Sequence, residues 1–235
     1  MRSTWLFTAA ATALLASSGS VLAADLAIRK APPPPPIPVY NWTGFYIGGN
    51  LGGAWETGTL TDNPLGVSFS RSRSGFIGGG QIGHNWQVSP NWVVGVEGMF
   101  DGTDISSDSG AVFVNNEVLS ATEKVDWIAT VAGRIGYASN NWLFYGKGGG
   151  GWVHDTATVT DVIGNNVFSA SISDTRGGWL VGGGIEYGFT PNWTARVDYT
   201  HIGLSDVTNT GLFVGDTITL SRHFDMVTAG INYKF

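Results

Sequence analysis

The pair Asn-Trp occurs four times, at Asn41-Trp42, Asn91-Trp92, Asn141-Trp142 and Asn192-Trp193, with spacings of 50, 50 and 51 residues. Turn formers precede the last three copies, as Ser89-Pro90, Ser139-Asn140 and Thr190-Pro191, so each Asn closes a tight turn and each Trp opens a strand. Four repeats, each a hairpin, predict eight strands. A propeller blade of roughly 40–50 residues needs four strands per repeat. Each repeat here offers only one long Gly- and aromatic-rich strand, a polar stretch of variable length and a second long strand.

Aromatic residues then set a scale. Phe45 with Trp55, Phe76 with Trp86, Trp127 with Tyr137, Trp142 with Trp152, and Trp179 with Phe189 each lie ten residues apart. Ten residues of strand keep one face and cover ~34 Å. Tilted by ~40–45°, they rise ~24–26 Å, close to the ~25 Å apolar band between the aromatic girdles of a transmembrane barrel. Trp42, Trp92 and Trp193 beside the short turns complete the expected girdle. The expected fold is therefore all-β, an eight-stranded antiparallel up-and-down transmembrane β-barrel, occupying residues 42–235.

Side-chain parity orients the wall. In the first strand Phe45, Ile47, Leu51 and Trp55 share one face, and Tyr46, Asn50 and Glu56 the other. In later strands the aromatic face excludes Gln81, Glu97, Asp101, Asp126, Arg134, Lys147, Glu186, Arg196, Asp198, Asn232 and Lys234, so the charges point inward. A soluble lipocalin-type barrel has the opposite arrangement. Eight strands leave an interior that side chains fill, so the inward acids and bases are expected to pair with one another. A conducting pore is the alternative.

The N-terminus and composition agree with export to a membrane. Arg2, the apolar run Trp5 to Ala16 and the small residues Val21-Leu22-Ala23 have the layout of a secretory signal, predicting a cleaved segment 1–23. Residues 24–41 contain Ala31-Pro32-Pro33-Pro34-Pro35-Pro36-Ile37-Pro38, expected to be an extended periplasmic linker. After the signal run, no apolar stretch reaches the ~18 residues of a membrane-spanning helix. Charged residues make up only 13 % of the chain, against about 25 % in soluble domains. A lipid-facing band accounts for the deficit, and a net charge of −6 argues against a nucleic-acid partner. The strand glycines, such as Gly148 to Gly151, lack the strand–loop–helix context of a phosphate cradle and read as sites of barrel curvature.

The opening strand Trp42-Thr43-Gly44-Phe45-Tyr46-Ile47-Gly48-Gly49, after its Pro-rich leader, resembles the alphaproteobacterial outer-membrane immunogenic, porin-like protein family, similar in architecture to the OmpA transmembrane domain. The chain's end, Ile231, Tyr233 and Phe235, resembles the signal read by the barrel assembly machinery. The resemblance implies an eight-stranded barrel with antigenic surface loops and a role in envelope integrity. It implies no reaction and no cofactor.

Long loops are expected at roughly 57–70, 102–121, 155–173 and 204–219, those around Asn115-Asn116 and Asn165-Asn166 rising as hairpins. They carry Asp62, Asp104, Asp108, Glu117, Asp155, Asp161, Asp206 and Asp216 without dense metal-ligand spacing, so no metal site is expected. Near their bases, Arg71, Arg73, Lys124, Arg176 and Arg222 form either a collar touching lipopolysaccharide phosphates or pairs with Glu56 and Asp174. His154 beside Asp155, His201 and His223 invite a lipid-modifying reading. Catalysis needs a nucleophile, a base and an orienting group in one place, and no motif fixes such a triad.

Overall fold

The computed structural model describes residues 40–62, 67–108, 112–114, 117–163, 166–210 and 217–235. The expected signal 1–23 and all of the Pro-rich segment up to residue 39 lie outside the described residues, as do Asn115, Asn116 and Asn165. Among the described residues eleven strands follow in chain order: β1 (Gly44–Asp62), β2 (Val67–Ser89), β3 (Trp92–Thr103), β4 (Ser106–Asp108), β5 (Val112–Val114), β6 (Glu117–Ser139), β7 (Trp142–Ile163), β8 (Asn166–Gly188), β9 (Trp193–Leu204), β10 (Val207–Thr210) and β11 (Thr217–Lys234). The pairing order is β1-β2-β3-β6-β7-β8-β9-β11, and β11 pairs back to β1, so eight antiparallel strands close a ring. β4 and β5 continue the position of β3 along β6, and β10 continues β9 along β11.

The Asn-Trp repeat has a hydrogen-bonding reason. β3, β7 and β9 each begin at the repeated Trp, and the last rungs are Trp92 opposite Tyr137, Trp142 opposite Tyr187 and Trp193 opposite Tyr233. One residue beyond, the backbone oxygens of Asn91, Asn141 and Asn192 accept from the amides of Ala138, Gly188 and Lys234 at 2.7, 2.8 and 2.7 Å. Their side-chain amides donate to the carbonyls of those same residues at 2.9, 2.7 and 2.8 Å. A carboxamide thus replaces the backbone N–H that a longer ladder would have supplied, and each rim carbonyl is satisfied. The turn between β6 and β7 places Asn140 at φ 53°, a conformation that Asn tolerates better than most residues.

Much of what the sequence presents as long loop is strand. β1 and β2 stay paired to Asp62 and Val67, and β7 and β8 to Ile163 and Asn166. Hydroxyl side chains hold these extensions together, with Thr57 to Ser72 at 3.1 Å, Thr59 to Ser70 at 2.9 Å and Thr158 to Ser171 at 2.9 Å. Sequence polarity alone reads such Thr/Ser runs as loop, whereas cross-strand hydroxyl pairs are a recognised source of sheet stability. The expected rising hairpins match the β5–β6 and β7–β8 pairings. A tight wall also needs glycine where strands press together. At Gly149 a Cβ would overlap the carbonyl oxygen of Val131, and at Gly79 that of Phe100.

Candidate functional site

The lumen is stacked in layers. At its centre, Glu97 receives both terminal nitrogens of Arg196, one of them at 2.9 Å, and the Tyr46 hydroxyl at 2.7 Å. Arg134 and Lys147 stand 3.5 and 3.7 Å from the same carboxylate. Asp198 pairs with Arg196 through its Nε and with Lys147 at 3.5 Å, and accepts from the Tyr145 hydroxyl. Glu186 takes Arg134 at 3.2 Å, Thr194 at 2.5 Å and Asn232 at 2.9 Å. Arg134 lies between the rings of Tyr46 and Tyr145, 4.9 Å from each centroid. β3, β6, β7, β8 and β9 supply the charges from every second position, so one belt crosses the lumen. Buried charges are tolerated when each has partners of opposite sign and its remaining donors are used. Asp101 is buried as well but joins no ion pair among the described residues.

Apolar layers lie on both sides of the belt. Towards the short turns, Tyr40, Trp42, Val93, Ala138, Leu143 and Tyr145 form one cluster. Towards the long hairpins, Ile77, Ile105, Ile128, Ile202, Phe224 and Met226 belong to a second. Trp42 corrects the sequence reading: expected in the girdle, it is 1 % exposed and inside the barrel. It precedes β1, so strand parity does not govern it, and its ring packs 4.6 Å from that of Tyr40 while its amide donates to Gln87 at 3.0 Å. Lys234 sits at this mouth rather than in the belt, half-buried, with its ammonium 4.6 Å above the Tyr40 ring and donating to the Asn41 carbonyl.

The outer surface carries the other expected girdle residues. Phe45, Trp86, Trp92, Tyr137, Trp142, Phe189 and Trp193 are exposed near the short turns, and Trp55, Phe76, Trp152 and Trp179 at the far level. Trp127 is half-covered, stacked between Phe100 at 5.5 Å and His154 at 5.2 Å. Exposed Ile47, Leu51, Val131, Ile135, Val181, Ile185, Val197 and Ile231 fill the band between, Ile231 sharing its face of β11 with Tyr233, and Phe235 follows just beyond the strand. Asp126 is the second correction. It was expected inside, but the ladder slips between Val125 and Trp127, and the extra residue resets the alternation. Asp126 therefore faces outward, accepting from Thr156 at 2.7 Å and pairing with Lys124 at 3.4 Å.

At the long-hairpin end the collar arginines face the axis, not the membrane. Glu56 holds Arg73 at 2.5 Å and Arg222 at 2.6 Å, while Arg73 reaches Glu123 at 3.1 Å and Arg222 reaches Asp155 at 3.0 Å. Arg176 pairs with Asp174 at 3.0 Å, which lowers the Asp174 pKa through that hydrogen bond. Asp155 is thus a buried wall residue, although the sequence reading put it in a loop. Its burial follows from β7 alternation, which a strand extension could have signalled. The same alternation turns His154 outward, where it meets Thr175 at 2.7 Å. His201 bonds Asp225 at 2.8 Å, Tyr199 bonds Asp225 at 2.5 Å, and the His223 ring lies 5.6 Å from that of His201, tilted by 33°. Among the described residues no cluster of three or more His, Asp or Glu is arranged to hold a metal ion.

A closed antiparallel ring with ion pairs inside, an apolar band outside and aromatic belts at both edges is a transmembrane β-barrel. The family model for the outer membrane protein beta-barrel domain matches residues 9–235, and the chain belongs to that family. It is 32 % identical over 234 residues to the 31 kDa outer-membrane immunogenic protein of Brucella melitensis, covering 92 % of this chain and 94 % of the relative. It is 31 % identical over 207 residues to the 22 kDa outer membrane protein of Rhizobium leguminosarum bv. viciae, covering 86 % and 82 %. Among solved structures, Neisserial surface protein A aligns over 82 % of this chain and 98 % of its own at 14 % identity and a TM-score of 0.42. The protein is an outer-membrane β-barrel protein.

Proposed function

We propose that this barrel is a sealed, non-catalytic scaffold of the outer membrane that contributes to envelope integrity and displays its long hairpins to the exterior. The observation that carries the reading is the layered lumen, in which the mutually paired charges Glu97, Arg134, Lys147, Glu186, Arg196 and Asp198 lie between two apolar layers, with Asp101 buried beside them outside any ion pair among the described residues. An aqueous pore would have to break both. On this reading the short turns and N-terminus are periplasmic, the aromatic belts contact lipid and lipopolysaccharide, and the terminal strand ending in Phe235 is what the assembly machinery engages. His154 and Asp155 point to opposite sides of the wall and form no dyad; His201 does bond Asp225, and on this reading that pair, joined by Tyr199, is a girdle contact and not a reaction centre. Reconstitution into planar bilayers is expected to give no reproducible channels, and stepwise conductance would refute the seal. Incubation with lipopolysaccharide is expected to leave its acyl chains intact, and loss of a chain would refute the non-catalytic reading.

A further inference from the structure

Beyond the far aromatic belt the polarity of the wall inverts. Within the membrane band apolar side chains face out and charges face in; above Trp55 and Trp179 the outward positions become Thr57, Thr59, Ser70, Ser72, Ser171 and Ser173. The inward positions become apolar after two charged positions. On β2 the inward order is Arg73, Arg71, Phe69, and on β8 it is Arg176, Asp174, Ile172. Phe69 is 70 % exposed and Ile172 76 % exposed, on the inward side of the hairpins. Exposed apolar surface in this setting marks a binding face.

Between these walls lies a cavity of about 250 Å³ lined by Arg71, Arg73, Arg176 and Arg222 with Leu60 and Phe69. The acids on its lining are Glu56 and Glu123, and both are engaged by Arg73, Glu56 by Arg222 too. Arg71 has no carboxylate partner among the described residues and is exposed. It faces Gly58 across the β1–β2 ladder and lines the cavity. Asp155 and Asp174 hold Arg222 and Arg176 from beside the cavity, so each of these four acids is engaged by an arginine other than Arg71. A floor of paired arginines with one unused guanidinium under apolar walls matches a molecule with an anionic head and an apolar body.

We propose that this vestibule binds a single-chain anionic amphiphile, a phosphate, sulfate or carboxylate head on Arg71 and Arg176 with its aliphatic chain along Leu60 and Phe69. The cavity is somewhat smaller than the roughly 300–1,000 Å³ of drug-sized sites, so the head and first carbons enter and the remaining chain follows the open apolar face. The proposal is independent of whether the lumen conducts.

The test is calorimetric titration of the full barrel in lipid nanodiscs with octyl phosphate below its micellar concentration, with empty discs as the blank. Saturable binding is expected, at least tenfold tighter than inorganic phosphate or octyl maltoside, and weakened at least tenfold by Arg71→Glu and by Phe69→Ser. Both positions are exposed, and heat-dependent gel migration reports that each variant still folds. Uptake no greater than in empty discs overturns the proposal. Equal affinity for inorganic phosphate makes the site a plain anion site, and saturation by hexaglutamate but not octyl phosphate makes it a protein-binding site; either result overturns it too.

Discussion

Replacing Arg196 with Met tests whether the belt holds the barrel closed. Arg196 is buried and serves two carboxylates at once, forking onto Glu97 and donating from Nε to Asp198. Met fills similar space without charge, so the loss is electrostatic. Glu97 would keep Tyr46 at 2.7 Å and the more distant Arg134 and Lys147 at 3.5 and 3.7 Å; Asp198 would keep Lys147 at 3.5 Å and Tyr145. Removing one partner of a buried pair costs about 3–5 kcal/mol, since the other charge is left uncompensated. With a urea slope of ~3 kcal/mol/M, near the upper end for small domains, the unfolding midpoint falls by ~1–1.7 M. The assay is equilibrium urea unfolding in detergent or vesicles, read by the emission of the girdle tryptophans as they leave lipid for water. Two companions sharpen it. Glu97→Gln with Arg196→Met is expected to cost less than the sum of the single changes, because the two groups share a bond. Asp174→Asn, which breaks the exposed pair with Arg176, is expected to leave the midpoint unchanged within error. A midpoint shift for Arg196→Met no larger than that of Asp174→Asn would refute the argument that the belt bears on stability.

Asn141→Ala removes the amide that donates to Gly188 and is expected to cost about 1 kcal/mol, while changing Asn91, Asn141 and Asn192 together should cost about three times as much in the same unfolding assay. Trp42→Ala empties a buried site and should cost about 3–5 kcal/mol, clearly more than Trp92→Ala on the lipid face, an ordering that urea midpoints check directly. Gly149→Ala forces a methyl onto the Val131 carbonyl, where no side-chain rotation can relieve it; a cost of about 3 kcal/mol or failure to assemble is expected, read by heat-dependent gel migration.

Strand count, closure and the inward or outward sense of most positions were legible because each is periodic: fifty residues between Asn-Trp pairs, ten between girdle aromatics, two between inward side chains. The belt was legible for the same reason, since Glu97, Arg134, Lys147, Glu186, Arg196 and Asp198 all fall on the face opposite the aromatics. What escaped were departures from period. The bulge at Asp126 has no glycine or proline to announce it, and one inserted residue reverses the inference. Trp42 lies outside the strand whose parity would have placed it. The strand extensions escaped because Thr and Ser are common to loops and to hydrophilic sheet faces, and only a partner strand distinguishes the two. That also hid Asp155, whereas the pairing of the arginines with Glu56 and Asp174 was one of the two readings the sequence offered.

The inversion of the wall's polarity also constrains the bilayer. On β1 the outward face passes from Trp55 to Thr57 in one step of the pleat, and on β7 from Trp152 through His154 to Thr156. Together with the tryptophans at the short-turn rim, this fixes both the upper and the lower limit of the greasy band. A helix can tilt to meet a thicker or thinner membrane, but a rigid closed cylinder with two fixed waterlines has little such freedom. Around this protein it is the lipid that must stretch or compress.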